Sequence, residues 1–206
     1  MRHTGPDTRQ QILDAGLRLF AERGYAATSV QEIVTRARVA KPTLYYYFGS
    51  KAGLFQALVN YAHDERYRLM QQAAERAAGL EQKLVEIVAA LFAFQREHRD
   101  LMRLAFATAF AAPGELPRQV SYLDKCARNF EFLHALIRQG LAEGVLDRRF
   151  DSRELTYGLY GQLNTYSMAH LLWPDYPLDR HTAHRVVDLF LAGAAAKRKT
   201  LSEPMP

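Results

Sequence analysis

The sequence predicts an all-α protein of about nine helices. Apolar residues recur at the three- and four-residue spacing of a single helix face along nearly the whole chain, and strand-like alternation is missing. Punctuation supports the same division: Gly24, Gly49, Gly79, the run Pro113-Gly114-Glu115-Leu116-Pro117 and Pro174 fall between the periodic stretches.

The elements follow in order. Ile12, Leu13, Gly16, Leu19 and Phe20 form one stripe on a first helix from about Thr8 to Arg23, closed by Gly24. Ser29 stands three residues before Glu32, the spacing of a capping box, and Val30, Ile33, Val34 and Ala37 form the apolar face of a two-turn second helix. Proline is tolerated where a helix begins, since its missing N–H would have no partner there. Pro42 therefore opens a third short helix through Tyr47 or Phe48. Gly49-Ser50 ends it, and Ser50 caps a long fourth helix from Lys51 to about Ala78, with Leu54, Leu58, Tyr61 and Leu69 as inward candidates. A fifth helix runs from Leu80 to about Gln95 and a sixth from Asp100 to Ala111. Val120, Leu123, Ala127, Phe130, Leu133 and Ile137 mark a seventh, ending near Gly140. Asp151 and Glu154 form a second possible capping box, for an eighth helix to Trp173, and the ninth runs from about Arg180 to Lys199.

Composition bounds the function. A chain of 206 residues with 49% hydrophobic and 24% charged residues folds as one or two globular domains and is neither fibrous nor disordered. The single Cys126 forms no intrachain disulfide and reads as a small buried hydrophobe. No signal peptide follows Met1 and the longest apolar-rich run, Leu84 to Phe94, is broken by Glu86, so a cytoplasmic protein with no membrane partner is expected. Charge is unevenly spread. Residues 1–51 hold 8 Lys and Arg against 4 acids, and the other 155 hold 19 against 18, so the N-terminal quarter carries +4 of the net +5. That points to a polyanion as its partner.

Two short helices joined by a tight turn make a helix-turn-helix over about residues 29–48. A helix entering the major groove needs short or planar side chains that reach base edges, and Thr43, Tyr45 and Tyr46 supply them. Lys41 and Lys51 bring charge for phosphates, Tyr47 a hydroxyl, and the helix starts at Ser29 and Ser50 bring free N–H groups.

The segments Ala21-Glu22-Arg23-Gly24-Tyr25, Thr28-Ser29-Val30-Gln31-Glu32-Ile33 and Lys41-Pro42-Thr43-Leu44-Tyr45-Tyr46-Tyr47-Phe48-Gly49-Ser50-Lys51 closely resemble the DNA-binding domain of the tetracycline-repressor (TetR) family. The resemblance covers about residues 6–66, the expected DNA-binding domain, and leaves 67–200 as a regulatory and dimerisation domain. It implies an all-helical homodimer that binds double-stranded DNA through its N-terminal helices, encloses a small-molecule effector in its C-terminal helices and pairs its last two helices with those of a second copy. By position, Lys41, Pro42, Thr43, Tyr45 and Tyr46 resemble the family's base and groove contacts, and Ser29, Tyr47 and Lys51 its phosphate contacts. Leu44 and Phe48 read as core. Arg38 stands where the family usually has Gly; in a left-handed conformation it costs about 1 kcal/mol relative to Gly. It reads either as a plain solvated residue, the commoner case, or as a phosphate contact.

The C-terminal two-thirds show no comparable motif. Phe92, Phe106, Phe110, Tyr122, Phe130 and Tyr160, with the polar Thr108, His134 and Asn164, are candidates to line an effector pocket, although each alone is more often core. Gln162, Tyr166 and Trp173 belong to the same group. Gly158 and Gly161, with Gly193, allow close helix approach and read as dimer-interface features. Glu131 and His134 lack the second copy a di-iron site needs, and His181 and His184 read as a solvated helix start. No metal, cofactor or catalytic set is expected. The reading is a ligand-responsive DNA-binding regulator, a repressor released by a largely apolar effector. The rivals are a DNA-binding protein of this fold without a metabolite ligand, acting through a protein partner or in chromosome organisation, and an enzyme or metal-dependent helical protein.

Overall fold

The computed structural model describes residues 6–112 and 114–195. Among them are nine helices: α1 (Pro6–Arg23), α2 (Val30–Ala37), α3 (Lys41–Phe48), α4 (Lys51–Glu75), α5 (Leu80–Glu97), α6 (Arg99–Ala109), α7 (Leu123–Ala142), α8 (Ser152–Leu172) and α9 (Arg180–Ala194). Their only β pairing is an isolated antiparallel bridge between Leu146 and Ala195. The chain divides into two compact units, one built from residues up to 68 with 94–127, the other from 69–93 with 128 onward.

In the first unit, α1 packs on α2 and on α6, and α2 on α3. Its core takes Ile12, Leu19 and Phe20 from α1, Ile33 and Val34 from α2, Leu44 from α3, Leu54 and Leu58 from α4, and Leu101 and Leu104 from α6. The rings of Phe20, Tyr25 and Phe55 pack together, with Phe55 edge-on to both others at 5.1 Å. Tyr61, expected to point inward, is instead half exposed and lies edge-on to Phe94 and His98. Its phenol keeps one end in water while the ring covers apolar surface.

Polar ties decide several helix ends. The seventh helix starts at Leu123 rather than near Val120, because Ser121 just before it is tied through its backbone to a side chain of α4. The Gln56 amide donates to the Ser121 carbonyl at 2.8 Å and accepts from the Ser121 N–H at 2.7 Å. Leu123, read as inward, is exposed. Lys125 is bound to both Asp64 oxygens at 2.7 and 2.8 Å. Cys126 is half-buried, and desolvation pushes its thiol up, which disfavours the reactive thiolate.

In the second unit, α8 packs on α9 around Leu155, Leu159, Leu163, Val186, Val187 and Phe190, with Leu84, Ile87 and Phe92 of α5 and Leu133 and Ile137 of α7 also buried. The capping box at Asp151 forms as its spacing predicts. The ninth helix stops at Ala194, short of Lys199: Ala195 is extended and paired with Leu146, and the Asp147 N–H donates to the Ala194 carbonyl at 2.8 Å. Residues 196–199 lie outside the described residues.

Leu44 is fully buried at the centre of α3. Leu44→Ala is expected to cost about 2–5 kcal/mol, the range for emptying a buried leucine site, measured by urea unfolding.

Candidate nucleic-acid interface

The interface is built on α2 and α3. Glu32 and Ser29 cap α2 reciprocally: the Glu32 N–H donates to the Ser29 hydroxyl at 3.2 Å, and the Ser29 N–H donates to the Glu32 carboxylate at 2.8 Å. The Ser29 N–H and the Ser29 hydroxyl, which donates to the same carboxylate at 2.7 Å, together with Arg23 at 2.9 Å, hold the Glu32 carboxyl below its usual 4.5. The capped Ser29 side chain stays exposed.

The turn is made by Arg38, whose φ of 55° and ψ of 39° are left-handed. Its N–H donates to the Thr35 carbonyl at 3.2 Å and that of Val39 to the Val34 carbonyl at 3.0 Å, so the last carbonyls of α2 are satisfied. α3 then begins at Lys41, with Pro42 in its first turn and Ala40 as a cap that offers no side-chain hydrogen bond. At its far end Gly49 adopts φ 71° and the chain enters α4 under a Ser50 cap, the Gly53 N–H donating to the Ser50 hydroxyl at 2.9 Å. Gly53 has no room for a side chain, since a Cβ there would run into the Phe48 carbonyl.

α3 is two-faced. Leu44 turns inward, whereas Tyr46 is 78% and Tyr45 43% exposed, and Lys41 and Pro42 share the open surface. Thr43, Tyr47 and Phe48 are half-buried. Tyr46 lies edge-on to Tyr47 at 5.1 Å, and the Arg9 guanidinium sits 5.3 Å from the Phe48 ring centroid. From residue 33 to residue 63 the sequence has four basic residues, Arg36, Arg38, Lys41 and Lys51, and no acid. The exposed face of α3 therefore sits in a positive field with no carboxylate on its own segment to oppose a phosphate.

Lys51 departs from the expected free phosphate ligand. Its ammonium donates to the Tyr25 carbonyl at 2.9 Å and the Thr28 carbonyl at 2.7 Å, and lies 4.1 Å from the Tyr25 ring centroid. Desolvation lowers its pKa. It ties the start of α4 to the loop between α1 and α2, where Thr28 is also buried and its hydroxyl donates to the Gly24 carbonyl at 2.8 Å. No spacing rule could have found this clamp, because its partners are backbone carbonyls more than 20 residues away.

The expected pocket residues are split between the units. Phe106, Thr108, Phe110 and Tyr122 belong to the first; Phe92, Phe130, His134, Tyr160 and Asn164 to the second. Phe110 is 75% exposed at the end of α6, so within the described residues it lines no enclosed site. Thr108 is buried with its hydroxyl on the Leu104 carbonyl at 2.8 Å. His134 has one ring nitrogen 3.0 Å from Glu131 and the other 2.9 Å from the Ser152 hydroxyl, so it ties α7 to the start of α8 instead of facing a ligand with a free nitrogen. Phe92 stacks on Tyr166 at 6.3 Å, and Phe130 packs against Tyr157 and Tyr160. The carbonyl oxygen of the Gln162 side chain is buried without a hydrogen bond. His181 and His184 are exposed, and among the described residues no group of three or more His, Cys, Asp or Glu could hold a metal. Nor is any described helix long and apolar enough to cross a membrane.

The family model "Bacterial regulatory proteins, tetR family" matches residues 12–58, the span from the core of α1 through the start of α4. Over that span the chain carries a TetR-type DNA-binding domain. It is a helix-turn-helix, DNA-binding transcriptional regulator and not an enzyme. Similar proteins extend the likeness along the chain. The transcriptional activator FasR of Mycolicibacterium smegmatis is 29% identical over 86% of this chain and 78% of its own length. The fatty acid degradation regulator FadR of Bacillus halodurans shares the fold with a TM-score of 0.80, at 23% identity over 93% of this chain and 98% of its own. FadR of Bacillus subtilis, solved in complex with stearoyl-CoA, has a TM-score of 0.75 at 21% identity, covering 89% of this chain and 98% of that one.

Three outcomes follow. Lys51→Met strands two partly buried carbonyls and should lower stability by about 1–3 kcal/mol in urea unfolding. Ser29→Ala should lower Tm by about 2–4 °C at neutral pH. Because the folded Glu32 carboxyl is held below 4.5, its capping stabilisation is present above that pH and fades as pH falls through the lower folded value. The Tm gap between the parent and Glu32→Gln should therefore close in acid.

Proposed function

We propose that this chain binds a palindromic operator as a homodimer, represses from it, and is released when a small, largely apolar effector binds its C-terminal helices. The exposed face of α3 carries the reading. Lys41, Pro42, Thr43, Tyr45 and Tyr46 contact base edges and the groove, while Ser29 and Tyr47 contact phosphates from the two sides. Lys51 acts mainly by holding the loop before α2, although its third N–H can still face a phosphate.

The dimer reading is supported by α8 and α9. Tyr157, Met168, Leu172, Trp173 and Leu189 are exposed, Trp173 at 64%, and nothing lies within 4 Å of a Cβ built on Gly158, Gly161 or Gly193. Apolar side chains beside glycines give a surface on which a second copy's helices can approach closely. Two-fold symmetry then sets half-sites about 34–36 Å apart and doubles the sequence read. α4 is one continuous helix from residue 51 to residue 75 and passes from one unit into the other at residue 68, which makes it the element through which an effector would alter half-site spacing. By linkage, operator DNA must weaken effector binding by the same factor. The aromatic groups around Phe92 and Phe130 and the unpartnered Gln162 oxygen favour an apolar effector with one hydrogen-bond donor. FasR is an activator, so the sign of control rests on where the operator lies.

Selection from random duplexes at about 150 mM salt should recover a palindrome. Tyr46→Ala and Thr43→Ala should then weaken binding to it far more than to random DNA, each lost base contact being worth about 1–3 kcal/mol. Recovery of no sequence preference would point instead to partner-dependent or chromosome-organising binding. The double variant Trp173→Asp, Leu189→Asp should sediment as a monomer and lose affinity for the palindrome; if it stays dimeric, the interface lies elsewhere.

A further inference from the structure

Six described residues have a positive φ, and five are glycines: Gly24, Gly49, Gly79, Gly114 and Gly144. The sixth is Arg38, at the turn into α3. Glycine would hold the same φ of 55° without crowding a Cβ, so the turn itself does not call for arginine. Arg38 is exposed, and among the described residues it forms no ion pair. Arg36, two residues earlier, is drawn towards Glu22 at 3.5 Å. Arg18 of α1 joins Arg36 and Arg38 along a cleft of about 350 Å³, where the one carboxylate, Asp14, is engaged by the Gln10 amide at 2.9 Å. Arg38 lies three residues ahead of Lys41, and the cap between them, Ala40, carries no hydroxyl to offer a phosphate at the start of α3.

We propose that Arg38 is a phosphate ligand for the DNA backbone flanking the α3 contacts, taking the place of a polar cap side chain, and that the strained backbone is kept for this contact. The inference rests on α3 being the DNA-reading helix. Guanidinium suits the task, since its planar fork bonds two phosphate oxygens at once and stays charged at every working pH. The contact is blind to sequence, so it adds affinity equally to operator and random DNA.

The test compares the full-length parent, Arg38→Gly and Arg38→Gln on the selected duplex and on a random one, from about 50 to 200 mM salt. Arg38→Gly relieves the left-handed strain and should raise Tm by about 2–4 °C. Both variants should bind less tightly, by the same factor on both duplexes, and the slope of log affinity against log salt should shrink by about 1.8, one phosphate contact being lost from each protomer of the dimer. A protein that is more stable yet binds DNA more weakly is not expected of a merely structural residue. Unchanged affinity and slope in Arg38→Gly and Arg38→Gln would overturn the proposal, as would a loss confined to the selected duplex. Failure of the parent itself to bind either duplex would instead overturn the DNA-binding role of α3.

Discussion

An eight-residue helix is not stable by itself in water, because closing its first turn fixes several residues for one hydrogen bond. The helix proposed to read DNA is that short, and for that role its outer face has to stay free of protein. It is therefore held from behind and at both ends. Leu44 anchors it to the core, Arg38 and Gly49 turn the chain sharply before and after it, and Gly53 lets α4 close over the Phe48 carbonyl. α2 is placed in turn by its own cap and by the Lys51 clamp on the loop before it.

This arrangement explains why the same few residues mix opposed chemistries. Tyr45 and Tyr46 leave large rings in water, a cost the fold alone would not select, whereas Leu44 between α3 and the core is sealed. Positive charge follows the same logic. The acid-free stretch from residue 33 to residue 63 spans the turn, α3 and the first half of α4. Its lysines divide the work, Lys41 lying on the surface and Lys51 turned into the fold.

The second unit is held by more ordinary means. A continuous apolar core joins α8 and α9, His134 bridges Glu131 and Ser152, and Arg180 pairs with Glu86. What stands out is the apolar surface left uncovered on α8 and α9, alongside glycines that a monomer has no packing reason to keep.

The order of nine helices, the two capping boxes and the residues of α3 were legible in the sequence, because each depends on neighbours within one or two turns: a period of 3.6, an oxygen three residues before a carboxylate, a proline where no N–H is needed. The left-handed turn at Arg38 was also suggested locally, by a residue in a place that favours glycine. What only the tertiary structure decided was where long polar side chains end. Lys51 was read as a phosphate ligand and is bound to carbonyls of residues 25 and 28; His134 was read as a pocket group and pairs with Glu131 and Ser152; Gln56 holds Ser121 and delays α7 by three residues. Tyr61, read as inward from its helical spacing, and Phe110, read as a pocket residue, lie at the surface. A flexible side chain can reach any partner that folding brings within its length. Such partners lie tens of residues away in sequence, where no local periodicity records them.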